Sequence, residues 1–119
     1  MGRKILVVED TAIKRMMLKN MLEKEGYTIR EASDGKNAIE VYNFSLPDLV
    51  ILGHPLPDMS GIELLKEIKS INSEAVCIMC SSTRANQIVI EAIEAGAKDV
   101  IIRPFQDDRL LEAVRKQIG

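Results

Sequence analysis

Two adjacent acids, Glu9-Asp10, follow the apolar run Ile5 to Val8. Such a pair suits a hard divalent cation, because Mg²⁺ takes one or two carboxylates and completes its octahedron with water and phosphate oxygens. The same pair could instead cap the helix expected to begin near Thr11, and Asp10 could serve both ends. Three other groups of chemistry-bearing residues close apolar runs: Gly53-His54-Pro55, Ser81-Ser82 and Arg103-Pro104. Two carboxylates, a hydroxyl and a cation therefore await a fold that brings them together. His54, the only histidine, reads either as a nucleophile or metal ligand, or as a partly buried side chain between a sheet and a helix. Pro55 favours extended geometry at His54, and adjacent strand residues face opposite sides, so His54 points away from the side that Gly53 faces.

The elements that would position these residues are written as an alternation. Short apolar runs at Lys4–Val8, Tyr27–Ala32, Asp48–Leu52, Ala75–Cys80 and Asp99–Ile102 are separated by amphipathic stretches. Ile13, Met17 and Met21 recur at helical spacing, as do Ala38 and Tyr42, Leu64 and Ile68, Val89 and Ile93, and Leu110 and Val114. Five strands each followed by a helix predict βαβ units and a parallel sheet. Ser60 and Glu63 form a capping box before Leu64, Gly96 stops the fourth helix, and Asp107 can cap the last. In an open parallel sheet, ligands bind beyond the carboxyl ends of the strands, where all four residue groups lie. Right-handed crossovers gather the first, third, fourth and fifth ends at one edge.

Composition narrows the classes. A chain of 119 residues fits one domain, 1–119, and 46% hydrophobic against 29% charged residues supports an ordered core with a solvated surface. The formal net charge is -2 and there is no basic block, which argues against a nucleic-acid partner. The apolar run after the basic start is too short for a signal peptide or membrane span, so a cytoplasmic protein is expected. Cys77 and Cys80 form C-x-x-C, but a strand sends them to opposite faces, which favours buried thiols over a zinc or redox pair. The six methionines read as core filler.

Ile5-Leu6-Val7-Val8-Glu9-Asp10, Pro47-Asp48-Leu49-Val50-Ile51-Leu52, Leu56-Pro57-Asp58-Met59-Ser60-Gly61, Glu94-Ala95-Gly96-Ala97-Lys98-Asp99 and Pro104-Phe105 occur in the order found in receiver domains. Over essentially its whole length the chain resembles the receiver domain of two-component response regulators, of the stand-alone chemotaxis-regulator kind. The resemblance implies a (βα)5, flavodoxin-like three-layer sandwich with a parallel five-stranded sheet of order 2-1-3-4-5, one of the two common doubly wound orders, which periodicity alone does not fix. It also implies that Asp10 contacts Mg²⁺ directly, that Glu9 helps through water, and that the backbone carbonyl of Pro55 completes the metal site. Ser81 matches the hydroxyl that touches the phosphoryl group, and Ser82 the small residue after it. The Arg103-Pro104 bond is implied to be cis.

Three positions depart from the pattern. Gly53 stands where the resemblance places the phosphoacceptor aspartate, and glycine offers neither an attacking oxygen nor a metal ligand. Arg103 stands for the phosphoryl-pairing lysine, exchanging a compact ammonium for a planar fork. Val100 stands for the aromatic residue whose rotation reports phosphorylation. With no acceptor between them, Arg103 is expected to lie across Glu9 and Asp10, offsetting their repulsion.

The expected function is a pseudo-receiver: a non-enzymatic module of two-component signalling that needs no cofactor, binds Mg²⁺ weakly at most, and acts on a protein partner. That partner would be a signalling protein, either a histidine kinase or a downstream target, with no membrane involved. The resemblance implies a surface built from the fourth helix, fifth strand and fifth helix, with Gln87, Glu91, Glu94, Arg109 and Glu112 as candidate contacts. Two alternatives stand beside it. One is a working regulator that uses Asp58 or His54 as acceptor or binds free phosphate. The other is a small-molecule or enzymatic flavodoxin-like domain, disfavoured because the first strand lacks a Gly-rich phosphate loop and its acids repel phosphate.

Overall fold

A computed structural model describes residues 2–119. Five strands and five helices alternate: β1 Lys4–Val8, α1 Ala12–Glu23, β2 Thr28–Ala32, α2 Gly35–Ser45, β3 Leu49–His54, α3 Gly61–Ile71, β4 Cys77–Ser81, α4 Asn86–Glu94, β5 Asp99–Ile102 and α5 Asp107–Ile118. The strands form one parallel sheet ordered β2-β1-β3-β4-β5, the flavodoxin-like architecture expected. β3 and β4 extend beyond the apolar runs, because the ladder continues through Gly53↔Cys80 and His54↔Ser81. Gly53 and Ser81 are therefore fixed inside strands rather than in loops.

The period of two along each strand divides the core into two layers. Leu6, Val8, Val50, Leu52, Cys77 and Met79 face α2, α3 and α4. Ile5, Val7, Leu49, Ile51, Ile78, Cys80 and Ile101 face α1 and α5. Cys77 and Cys80 indeed lie on opposite faces, both buried, and burial pushes their thiols up to about 12 and about 11. Desolvation disfavours the thiolate, the form that attacks electrophiles or binds metal, at both positions.

Helix ends follow the sequence in part. Ser60 Oγ accepts the Glu63 N–H at 3.0 Å and the Glu63 carboxylate accepts the Ser60 N–H at 3.4 Å, completing the capping box. Gly96 has a φ of +109°, which closes α4 at a geometry that L side chains avoid. Two expected caps differ. Asp107 is the first residue of α5 rather than its cap, where its charge meets the helix dipole, and Gln106 holds the cap position without a side-chain bond. At α1, Glu9 rather than Asp10 accepts the Thr11 N–H, at 3.0 Å.

Two expected apolar stripes are only partly buried. On α1 it is Leu18 and Leu22 that reach the sheet, while Ile13 and Met17 remain exposed. On α4 only Ala92 is fully buried, Val89 is half-buried, and Ile90 and Ile93 are exposed. The methionines divide likewise: Met79 is core, whereas Met16 and Met17 face solvent, and Met1 lies outside the described residues. Among the described residues, no helix is long and apolar enough to cross a membrane.

Candidate functional site

Glu9 is the residue on which the strand-end cluster is built. It follows β1, is 2% exposed, and its N–H donates to the Ala32 carbonyl at 3.0 Å. Its carboxylate accepts the Thr11 N–H and pairs with Arg103, whose Nη1 lies 2.6 Å from Oε1. Arg15 fixes the same residue from the helix side, donating from Nη1 to the Glu9 carbonyl at 2.6 Å while its Nε reaches Glu31 at 3.3 Å. Burial opposes ionisation of Glu9, but the Thr11 N–H and the Arg103 guanidinium outweigh it and hold the carboxyl below its ordinary value. The ion pair is charge-assisted, short and largely sheltered, so it is stronger than an exposed pair.

Arg103 was expected to span both acids. It pairs with Glu9, and among the described residues no ion pair joins it to the exposed Asp10. The side chain of Glu9 turns inward toward the β3 edge of the cluster, whereas Asp10 lies beyond the strand and faces solvent.

Gly53 adjoins that ion pair. A Cβ built there would stand 3.3 Å from the Val8 carbonyl oxygen, 3.6 Å from Arg103 Nη2 and 3.7 Å from Glu9 Oε1. The β1, β3 and β5 ends thus converge as the topology requires, and the second guanidinium nitrogen lies beside the space a side chain at position 53 would enter. Ser81 is buried, and its hydroxyl serves its own loop, donating to the Thr83 carbonyl at 2.9 Å and accepting the Thr83 N–H at 3.1 Å. Ser82 donates from both N–H and Oγ to the His54 carbonyl, at 3.0 and 3.2 Å. Val100 is half-buried and packs on the α2–α4 side of the core. The Arg103–Pro104 bond is cis, as the family pattern implies; His54–Pro55 is cis as well, which the sequence did not signal.

The residues fit a resident Mg²⁺ poorly. Both Glu9 oxygens already have partners, Gly53 supplies no side-chain oxygen, and what remains is the exposed Asp10 carboxylate with the Pro55 carbonyl. Among the described residues no group of three His, Cys, Asp or Glu side chains could hold a metal ion.

His54 and Asp58 have structural partners. His54 is half-buried and its Nδ1 accepts the N–H of Gly61, the first residue of α3, at 2.9 Å. Burial lowers its pKa, and the charge of Glu91 partly opposes this. Asp58 accepts from Gly35 and Lys36 with separate oxygens, at 2.8 and 2.9 Å, so the β3–α3 loop is pinned to the start of α2. Those two backbone donors hold the Asp58 carboxyl below its ordinary value. Neither contact was anticipated, since each joins backbone N–H groups to a side chain from another segment.

The candidate partner residues separate into two groups. Gln87 and Glu91 hydrogen-bond to each other at 2.9 Å along α4. Arg109 grips Asp99 with two bonds of 2.9 and 3.0 Å, tying α5 to β5. Glu94 and Glu112 are exposed. The apolar spacing of α4 assigns Ile93 to a stripe with Val89 and leaves Ile90 out, whereas both Ile90 and Ile93 are about half exposed, and their spacing of three was the available signal.

Comparison with known proteins agrees with this geometry. The response regulator receiver domain matches residues 5–115. A chemotaxis protein CheY from Bacillus subtilis is 48% identical over 120 residues, covering 100% of both chains. One from Thermotoga maritima is 45% identical, covering 98% of each. Among solved structures, a CheY-like receiver domain from Methanospirillum hungatei superposes with a TM-score of 0.93 at 26% identity, covering 98% of this chain and 93% of that one. The CheY of a CheX-CheY-BeF3-Mg complex from Borrelia burgdorferi superposes at 0.91 with 29% identity, covering 96% and 87%.

Proposed function

The chain belongs to the response regulator receiver family, and on that premise we propose that it is a pseudo-receiver: a two-component signalling module that is not phosphorylated at the family's usual position and works by protein–protein contact. In this reading Gly53 occupies the acceptor position. The observation that carries it is the Arg103–Glu9 ion pair drawn across Gly53. A phosphorylated receiver needs a nucleophile, a metal beside it and a cation free to meet the incoming charge. Here the nucleophile is missing, one acid is engaged, and the cation is the group engaging it.

The partner would be a signalling protein, a kinase or a downstream target, meeting α4, β5 and α5. Support comes from the B. burgdorferi relative, whose structure is a complex of CheY with CheX. The apolar Ile90 and Ile93, set among polar neighbours, suit the centre of such a contact better than the charged residues around them.

Incubation with a small phosphodonor and Mg²⁺, read by intact mass, tests the reading: no adduct is expected. A retained phosphoryl group mapped to Asp58 or His54 would establish a relocated acceptor instead. The two backbone donors already satisfying the Asp58 carboxylate weigh against it as a free nucleophile.

A further inference from the structure

The apolar stripe of α1 that fails to reach the core borders a groove. Ile13, Met16 and Met17 are 66%, 52% and 63% exposed, and Met17 and Met21 line one wall of a cleft of about 860 Å³ between α1 and α5. Phe105 and Leu111 line the other side. Contiguous apolar surface of this kind on a small domain marks a place where something docks.

Charge along the groove identifies the occupant. Each helix follows a strand of one parallel sheet and packs back on the same face of it, so the two run in the same direction with their first residues at the strands' carboxyl edge. Asp107 and Asp108, at the start of α5, make that end acidic, with Lys14 offsetting one of the two charges. Lys24, at the close of α1, makes the far end basic, because its neighbour Glu25 is already paired with Arg115 at 2.7 Å. Among the described residues neither Lys24 nor either aspartate has an ion-pair partner. A surface acidic at one end and basic at the other is complementary to itself turned end for end, which is what an isologous two-fold contact requires.

We propose that a second copy of this chain docks in the α1–α5 groove, forming a symmetric dimer. Lys24 of each copy meets Asp107 and Asp108 of the other, and the Ile13, Met16 and Met17 patches close over the apolar walls. A partner of any other kind would need both charges and the apolar stripe arranged on one surface, whereas symmetry supplies them. The α4 face remains open in the dimer.

Sedimentation of the full chain over a concentration series tests this, with circular dichroism confirming that each variant folds. The wild type should pass from monomer to dimer as concentration rises. Met17→Glu, at an exposed position, should weaken association by at least about tenfold, equivalent to about 1.4 kcal/mol. Lys24→Glu and Asp108→Lys should each weaken it, and the two together in one chain should restore it. A monomer at every concentration would overturn the proposal, whether the groove then takes another protein or a small apolar molecule. So would a dimer indifferent to Met17→Glu, or a charge exchange that fails to restore association.

Discussion

Helices α3 and α4 pack on the same face of the sheet, yet they are held by different means. α3 opens with a complete capping box and buries Gly61, Ile62, Leu64, Leu65 and Ile68. α4 has no side-chain cap, fully buries only Ala92, and exposes Ile90 and Ile93. A helix in isolation is marginal, and burial of its apolar face provides most of its stability in a protein. α3 is therefore scaffold, whereas α4 is attached lightly and leaves apolar area exposed.

Truncation should expose that contrast most strongly. Leu64→Ala removes a side chain with 0% exposure and should cost about 2–5 kcal/mol. Ile90→Ala, at 52% exposure, should change stability by less than about 0.5 kcal/mol. Chemical denaturation checks both, and equal losses would remove the distinction between the scaffold helix and the lightly attached one.

The strand-end cluster should respond next. Arg103→Ala leaves Glu9 buried without its cation. Arg103 keeps 19% exposure, so the loss should fall somewhat below that of a fully buried pair, at about 2 kcal/mol in denaturation. A variant as stable as the wild type would mean that the pair contributes little.

Gly53→Asp tests the same cluster by addition. The distances around a Cβ at position 53 leave room after small adjustments, and the new carboxylate would enter beside Arg103 Nη2. It should therefore be captured by the guanidinium, recovering phosphorylation from a small phosphodonor only partly until Arg103→Lys is added. The two changes should be non-additive, as expected for groups in one network. Equal rates in the single and double variants would contradict a blocking role for Arg103.

Asp58 should give the smallest effect. Its carboxyl is held below its ordinary value by the Gly35 and Lys36 N–H groups, so the native state favours the ionised form. That contribution is present in full above the ordinary aspartate value and is lost as pH falls through the lower native value. Asp58→Asn should therefore be slightly less stable than the wild type at neutral pH, and the two should converge in strong acid. A difference that persists unchanged into acid would assign the effect to something other than ionisation.

These residues also show what a sequence can disclose. The five strands, the capping box at Ser60 and Glu63 and the Gly96 stop were legible because each depends on period or on neighbours within a few positions. The opposite facing of Cys77 and Cys80 followed from the strand period alone. The Glu9–Arg103 pair was anticipated by chemical complementarity, but its preference for Glu9 over Asp10 was not, because rotamers and the Thr11 contact decide it. The Asp58 anchor and the His54–Gly61 bond depend on where separate loops come to rest, and no local pattern encodes that. The α1 and α4 stripes misled for a related reason. Periodicity reports that a face is apolar, and only the tertiary structure reports whether the same chain covers it.

The central claim is that the strand ends hold one state and have lost leverage over α4 and α5. A ligand shifts an equilibrium only by its differential affinity for two states, and with Gly53 in place and Val100 lacking a ring there is little for a phosphoryl mimic to grip or move. Backbone amide shifts recorded while Mg²⁺ and beryllofluoride are added together test this directly. Residues 87–95 and 108–115 should keep their positions throughout the titration. Concerted, saturating changes across both segments would contradict the account and show a working switch.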